Sequence, residues 1–211
     1  AFNRGTGVRL NAKGSDFTVL KHFPGGEGGS PWGNLALSGT TLYGTASTGG
    51  ISNNGTVFKL RTDGSEFAVL KQFGGAEGAE PRGLIILNTT LYGITFHGGV
   101  SNRGTIFKLN LDGSDFTVLK EFTDPEDGGV GSVDGCLPSG SLAPFGTNLF
   151  GTTMYGGAFG RGVVFRMNPD GTGYTVLQQG NLTDGGHFFL GVIGGDDTLY
   201  GATAMGPGGT A

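Results

Sequence analysis

Acidic side chains recur at four places in this chain where they could hold a cation. An acid followed by glycine stands at Glu27-Gly28, Glu77-Gly78, Asp127-Gly128 and Asp184-Gly185. Four carboxylates gathered around one axis could bind a hard ion such as Ca²⁺, which takes oxygen ligands. The plainer alternative is that each acid caps its own loop by accepting backbone N–H bonds. Recurrence favours that alternative, because a feature shared by all copies of a repeat serves the fold. The stretch from Thr123 to Ser141 adds Asp124, Glu126, Asp127, Asp134 and Cys136, without the spacing of an EF-hand. Trp32, Arg82, His97 and Tyr155 stand where the other copies carry different residues. Aromatic rings with a guanidinium and an imidazole on one rim could stack on and hydrogen-bond a sugar or a peptide. His22, His97 or His187 with Tyr155 could also run β-elimination on an acidic polysaccharide, one group abstracting and the other donating a proton. No nucleophile triad, CxxC, HExxH or phosphate loop accompanies them. The residues therefore favour non-catalytic binding without a cofactor, although the four carboxylates could hold a cation such as Ca²⁺.

The elements that must position these residues repeat. Gly55-Thr56-Val57-Phe58-Lys59-Leu60 recurs as Gly104-Thr105-Ile106-Phe107-Lys108-Leu109, and in weaker form from Gly5 and from Gly162. Leu42-Tyr43-Gly44 recurs at Leu91, Leu149 and Leu199. The spacings define four units of about 50 residues with one insertion. Each unit reads as four strands, labelled A to D. In the second unit these are Leu84–Leu87, Leu91–Phe96, Gly104–Leu109 and Phe116–Phe122, the last two joined by the turn Asp112-Gly113-Ser114. No segment carries a sustained helical period.

Four-stranded units at this period predict an all-β chain, a four-bladed β-propeller of four-stranded antiparallel blades. The whole chain, 1–211, is expected to be one domain, with blades near 33–74, 83–123, 141–179, and 188–211 plus 4–23. The chain opens on strands C and D and ends on strands A and B, near Phe189–Ile193 and Leu199–Thr203. Pairing of these two halves would close the ring. The long D–A and B–C loops then share one face, the expected binding face, and the short A–B and C–D turns share the other.

Composition narrows the classes. Of 211 residues 46 are glycine, but not at every third position, which excludes collagen. A net charge of −4 gives no electrostatic reason to bind nucleic acid. Ten of the thirteen basic residues occupy repeat positions, among them Lys21, Lys71 and Lys120 on strand D. No apolar run is long enough for a membrane-inserted helix. Cys136 is alone and cannot form an internal disulfide. The start at Ala1, without an initiator Met or a signal peptide, reads as a processed product or a fragment.

The pattern Leu-Tyr-Gly-Thr-x-x-x-Gly-Gly, then Gly-Thr-Val-Phe-Lys-Leu, then Asp-Gly-Ser-x-Phe-x-Val-Leu-Lys-x-Phe resembles the Gloeobacter/Verrucomicrobia tandem repeat, most clearly over residues 33–123. The resemblance implies a secreted or surface-exposed bacterial protein and carries no catalytic motif to transfer. The expected function is an extracellular or cell-surface binding module for a glycan or protein ligand, with Trp32, Arg82, His97 and Tyr155 on the binding face. One alternative is a structural subunit of a filamentous surface assembly, formed by self-association through the split blade. A second is a polysaccharide lyase-like enzyme.

Overall fold

A computed structural model describes residues 4–123, 132–181, 183–188 and 191–206. Its described residues contain strands and turns and no helix. Blade 1 is β3 (Gly29–Ser38), β4 (Thr41–Thr48), β5 (Thr56–Arg61) and β6 (Ala68–Gln72). Blade 2 is β7 (Ala79–Leu87), β8 (Thr90–His97), β9 (Thr105–Asn110) and β10 (Thr117–Glu121). Blade 3 is β11 (Cys136–Phe145), β12 (Asn148–Tyr155), β13 (Val163–Met167) and β14 (Thr175–Gln179). Each is an antiparallel sheet in chain order. The rest of the pattern is split between β1 (Thr6–Arg9) with β2 (Thr18–His22), and β15 (Ile193–Gly195) with β16 (Thr198–Tyr200). These form two separate two-stranded sheets, and no ladder among the described strands joins β16 to β1.

Strand A starts earlier than the alternation of side chains indicates. In blade 2 it begins at Ala79, opposite His97, and a bulge between Arg82 and Leu84 breaks the period of two that would reveal it. Pro81 lies in this stretch, tolerated because strand A is the edge of its sheet. Its ring fills the space over Gly55 of blade 1, where a Cβ would collide with it. Pro31 over Gly5 and Pro138 over Gly104 repeat the arrangement.

The core lies between blades. Tyr43, Val57 and Phe73 of blade 1 pack on Leu84, Leu91, Phe107 and Leu109 of blade 2. Tyr92, Ile94, Ile106 and Phe122 pack in the same way on Leu142, Leu149, Phe165 and Met167 of blade 3. Four equivalent hydrogen bonds tie neighbouring blades. The N–H groups of Ser30, Glu80, Leu137 and His187 donate to the carbonyls of Arg4, Asn54, Arg103 and Arg161, at 2.6–2.9 Å. All four donor residues have φ between 51° and 55°. A left-handed conformation costs a non-glycine residue roughly 1–2 kcal/mol, and the inter-blade bond it permits offsets this.

Candidate functional site

The D–A and B–C loops do share a face. Gly50 N–H donates to Gly26 O, Gly99 N–H to Gly75 O and Gly157 N–H to Ser132 O, each bond joining a B–C loop to a D–A loop. The B–C tips are fixed further. Asn53 Oδ1 and Asn102 Oδ1 accept from Gly49 and Gly98 N–H, while Gln72 Oε1 and Gln179 Oε1 accept from Ile51 and Ala158 N–H. The loops are thus a rigid frame for the side chains they present.

Three of the four expected ligand-binding residues come together, on strands rather than on the loops: Trp32 on β3, Arg82 on β7 and His97 at the end of β8. Arg82 leaves strand A of blade 2 and lies between two rings, its Cζ 3.6 Å from the Phe96 centroid and 5.1 Å from that of Trp32 in blade 1. Guanidinium–aromatic contacts of this kind contribute roughly 0.5–2 kcal/mol. Glu80 orients the group, with Oε2 3.4 Å from Arg82 Nη2 and Oε1 3.2 Å from His97 Nδ1. Burial pushes the Arg82 guanidinium below its ordinary value and Glu80 draws it back up, so arginine stays charged. Arg82 Nε is buried with no hydrogen-bond partner among the described residues. The Trp32 indole is half exposed at the edge of the stack.

Tyr155 is placed elsewhere, edge-on to His187 with ring centroids 4.9 Å apart. His187 is buried. Burial and Arg161 lower its pKa, and a bond to the Met154 backbone partly restores it. Glu80 and Phe96 complete the Arg82 cluster. Glu80 left no sequence signal of its own, since its counterparts are Ser30, Leu137 and His187.

The recurring carboxylates are engaged locally. Glu27 Oε2 and Glu77 Oε1 each accept from a strand D lysine at 2.8 Å, Lys21 and Lys71. Burial opposes ionisation of Glu77, but bonds from Lys71 and from Gly74 N–H outweigh it and hold the carboxyl below its usual range. Asp184 accepts from Asn181 Nδ2 at 2.7 Å. Asp127 lies outside the described residues, and Lys120 pairs with Asp134 at 2.9 Å. No group of three His, Cys, Asp or Glu side chains converges among the described residues.

Residues 1–131, and again 88–211, match the Gloeobacter/Verrucomicrobia repeat. The chain belongs to that family. No curated protein matches the repeat chain. Solved structures resemble this family member in fold. A chain of the nidogen/laminin complex superposes with a TM-score of 0.63 and 20% identity, over 93% of this chain and 63% of that one. A TolB-like protein from Agrobacterium tumefaciens gives 0.53 and 14%, over 81% and 55%. A gluconolactonase from Xanthomonas campestris gives 0.55 and 12%, over 90% and 60%. The repeat chain thus spans less than two thirds of these larger chains.

Proposed function

We propose that this repeat propeller is a non-catalytic binding module, secreted or at the cell surface, that captures a protein or glycan ligand on its long-loop face. The observation that carries the reading is the Trp32–Arg82–Phe96 stack, oriented by Glu80 and held on strands β3, β7 and β8. A preorganised aromatic and guanidinium surface loses little side-chain entropy on binding. A flat indole face suits a sugar ring or an apolar partner group. The likeness to a chain from a protein–protein complex supports a protein ligand. The reading needs no cofactor, because Glu27, Glu77 and Asp184 are each engaged within the protein.

A glycan array and a binding screen against extracellular proteins, followed by calorimetry on any hit, test this. Trp32→Ala leaves the fold intact and weakens binding by roughly 1–3 kcal/mol if Trp32 is a hot spot. A ligand whose affinity ignores the change places the binding surface elsewhere.

A further inference from the structure

The corner between blade 3 and the loop that follows it holds a second cluster, which shares no residue with the Trp32–Arg82–Phe96 stack. A cavity of about 500 Å³ lies there, lined by Phe159, Arg161, Asn181 and Thr183. Small-ligand pockets span about 300–1,000 Å³, so its size suits a bound molecule. Three of its four residues depart from the repeat. Phe159 stands on the B–C loop where blades 1 and 2 carry Ser52 and Ser101. Asn181 and Thr183 stand where the first two D–A loops carry Pro24 and Gly26, or Gly74 and Ala76. The frame therefore does not call for them.

Each residue has a distinct part. The Phe159 ring is 62% exposed. Its loop tip is fixed, with Gly160 N–H donating to Gly157 O at 3.1 Å and Ala158 N–H to Gln179 Oε1 at 2.6 Å. A phenyl ring held in this way is a flat apolar platform. Arg161 supplies charge. Its stem lies over Gly186, where a Cβ would stand 2.7 Å from Arg161 Cβ and 3.2 Å from Cδ, and its carbonyl accepts from His187 N–H. The head meets no carboxylate among the described residues. Its Nη1 has only Met205 Sδ, at 3.7 Å, and a thioether is a weak acceptor. Arg82, by contrast, has Glu80. Burial lowers the pKa of the neighbouring His187, and the Arg161 charge lowers it further. Asn181 is a brace. Its Oδ1 accepts from Thr183 N–H, Thr183 Oγ1 and Asp184 N–H at 2.7–2.8 Å, and its Nδ2 donates to Asp184 Oδ2 at 2.7 Å. Asp184, the acid of this loop, is thereby engaged and does not line the cavity. Thr183 Oγ1 donates inward to Asn181, which leaves it a lone pair for an incoming hydroxyl.

We propose that this corner binds a uronic acid residue of an acidic polysaccharide. The apolar face of the pyranose ring lies on Phe159, and a ring hydroxyl donates to Thr183 Oγ1. The sugar carboxylate pairs with the Arg161 guanidinium, whose fork of donors matches two carboxylate oxygens. A neutral sugar would leave the guanidinium without a counter-charge. Phe159 and Thr183 are both exposed, so the mouth admits one residue of a longer chain. The site goes beyond the long-loop reading and does not depend on it, since it holds whether or not the Trp32 stack captures anything.

Calorimetry with tetramers of galacturonate, mannuronate and glucuronate, and with the methyl ester of each, tests the proposal. At least one tetramer is expected to bind, with an affinity that falls as salt is raised. Its methyl ester keeps the ring and loses the charge, and is expected to bind about tenfold or more weakly. Phe159→Ala and Arg161→Gln each weaken the tetramer by about tenfold or more, as hot-spot changes do. Arg161→Lys, which keeps the charge without the fork, falls between Arg161→Gln and wild type. Trp32→Ala leaves the affinity unchanged. Phe159 is exposed, so its removal touches no core, and melting temperatures show whether the Arg161 variants fold. Binding by none of the three tetramers overturns the proposal. So does a tetramer that binds no better than its ester, or one whose affinity ignores both Phe159→Ala and Arg161→Gln. A loss in Trp32→Ala alone assigns the sugar to the stack, which overturns this site and leaves the long-loop reading standing.

Discussion

His187 shows how one side chain can be given to structure and still report on it. Its ring is buried against Tyr155, its N–H and carbonyl bond to Arg161 and Ala204, and its pKa is lowered by burial and by Arg161. The fold therefore favours the neutral imidazole. A histidine with a lowered folded pKa contributes stability that is complete above its ordinary value of about 6.5 and is lost as pH falls toward the folded value. The melting temperature is expected to drop between pH 7 and pH 5, and the drop to shrink in His187→Asn. Asparagine is the appropriate replacement because it tolerates the 55° φ at this position. Parallel melts of the two proteins across that range decide it; identical slopes would assign the loss to another group. Glu77 acts in the opposite region. Its lowered pKa adds stability that is present above the ordinary carboxylate range and disappears on stronger acidification.

Among elements, the second strand of each blade is shaped by the third. In Leu-Tyr-Gly the glycine lies beneath the phenylalanine of the neighbouring strand. A Cβ at Gly44 would stand 2.7 Å from Phe58, and one at Gly93 or Gly151 would run into Phe107 or Phe165. Gly93→Ala is expected to cost roughly 1–3 kcal/mol by overpacking, read from urea denaturation. Phe107→Leu in the same chain is expected to recover part of that loss, so the two changes together cost less than their sum. Strict additivity would mean that the ring is not what excludes the methyl. The fourth strands supply a second recurring device. Lys21, Lys71 and Lys120 each bond a loop acid and lie 3.9–4.3 Å from a ring of the following blade, Phe67, Phe116 or Tyr174. Each lysine thereby joins its own loop to the next sheet.

At the scale of the whole molecule, stability resides in the interfaces between blades, so equivalent residues differ in worth with their place along the arc. Leu84 is completely buried between blades 1 and 2, and Leu35, at the matching position of blade 1, is 44% exposed. Leu84→Ala is expected to cost about 2–5 kcal/mol, as core truncations do. Leu35→Ala is expected to cost less than about 1 kcal/mol. Equal costs would show that Leu35 is covered within one chain.

The repeat made strands, turns and blade type legible without coordinates, because alternating apolar residues, Asp-Gly turns and a period near 50 residues are local or periodic signals. They also placed Trp32, Arg82 and His97 near a common face. That Glu80 joins Arg82 to His97 was not legible, because a bulge hides the start of strand A and a left-handed residue redirects the chain there. Tyr155 went to His187 rather than to the cluster for a similar reason: contacts between blades depend on how sheets seat against one another, not on spacing within a unit. The four acid–glycine pairs read alike in sequence, yet lysines claim Glu27 and Glu77 while Asn181 claims Asp184. The halves of the split blade match in sequence, but matching residues meet only if the angles between successive blades add up to a full turn. Those angles are set by the packing of buried side chains such as Tyr43 and Leu84, and so belong to the tertiary structure alone.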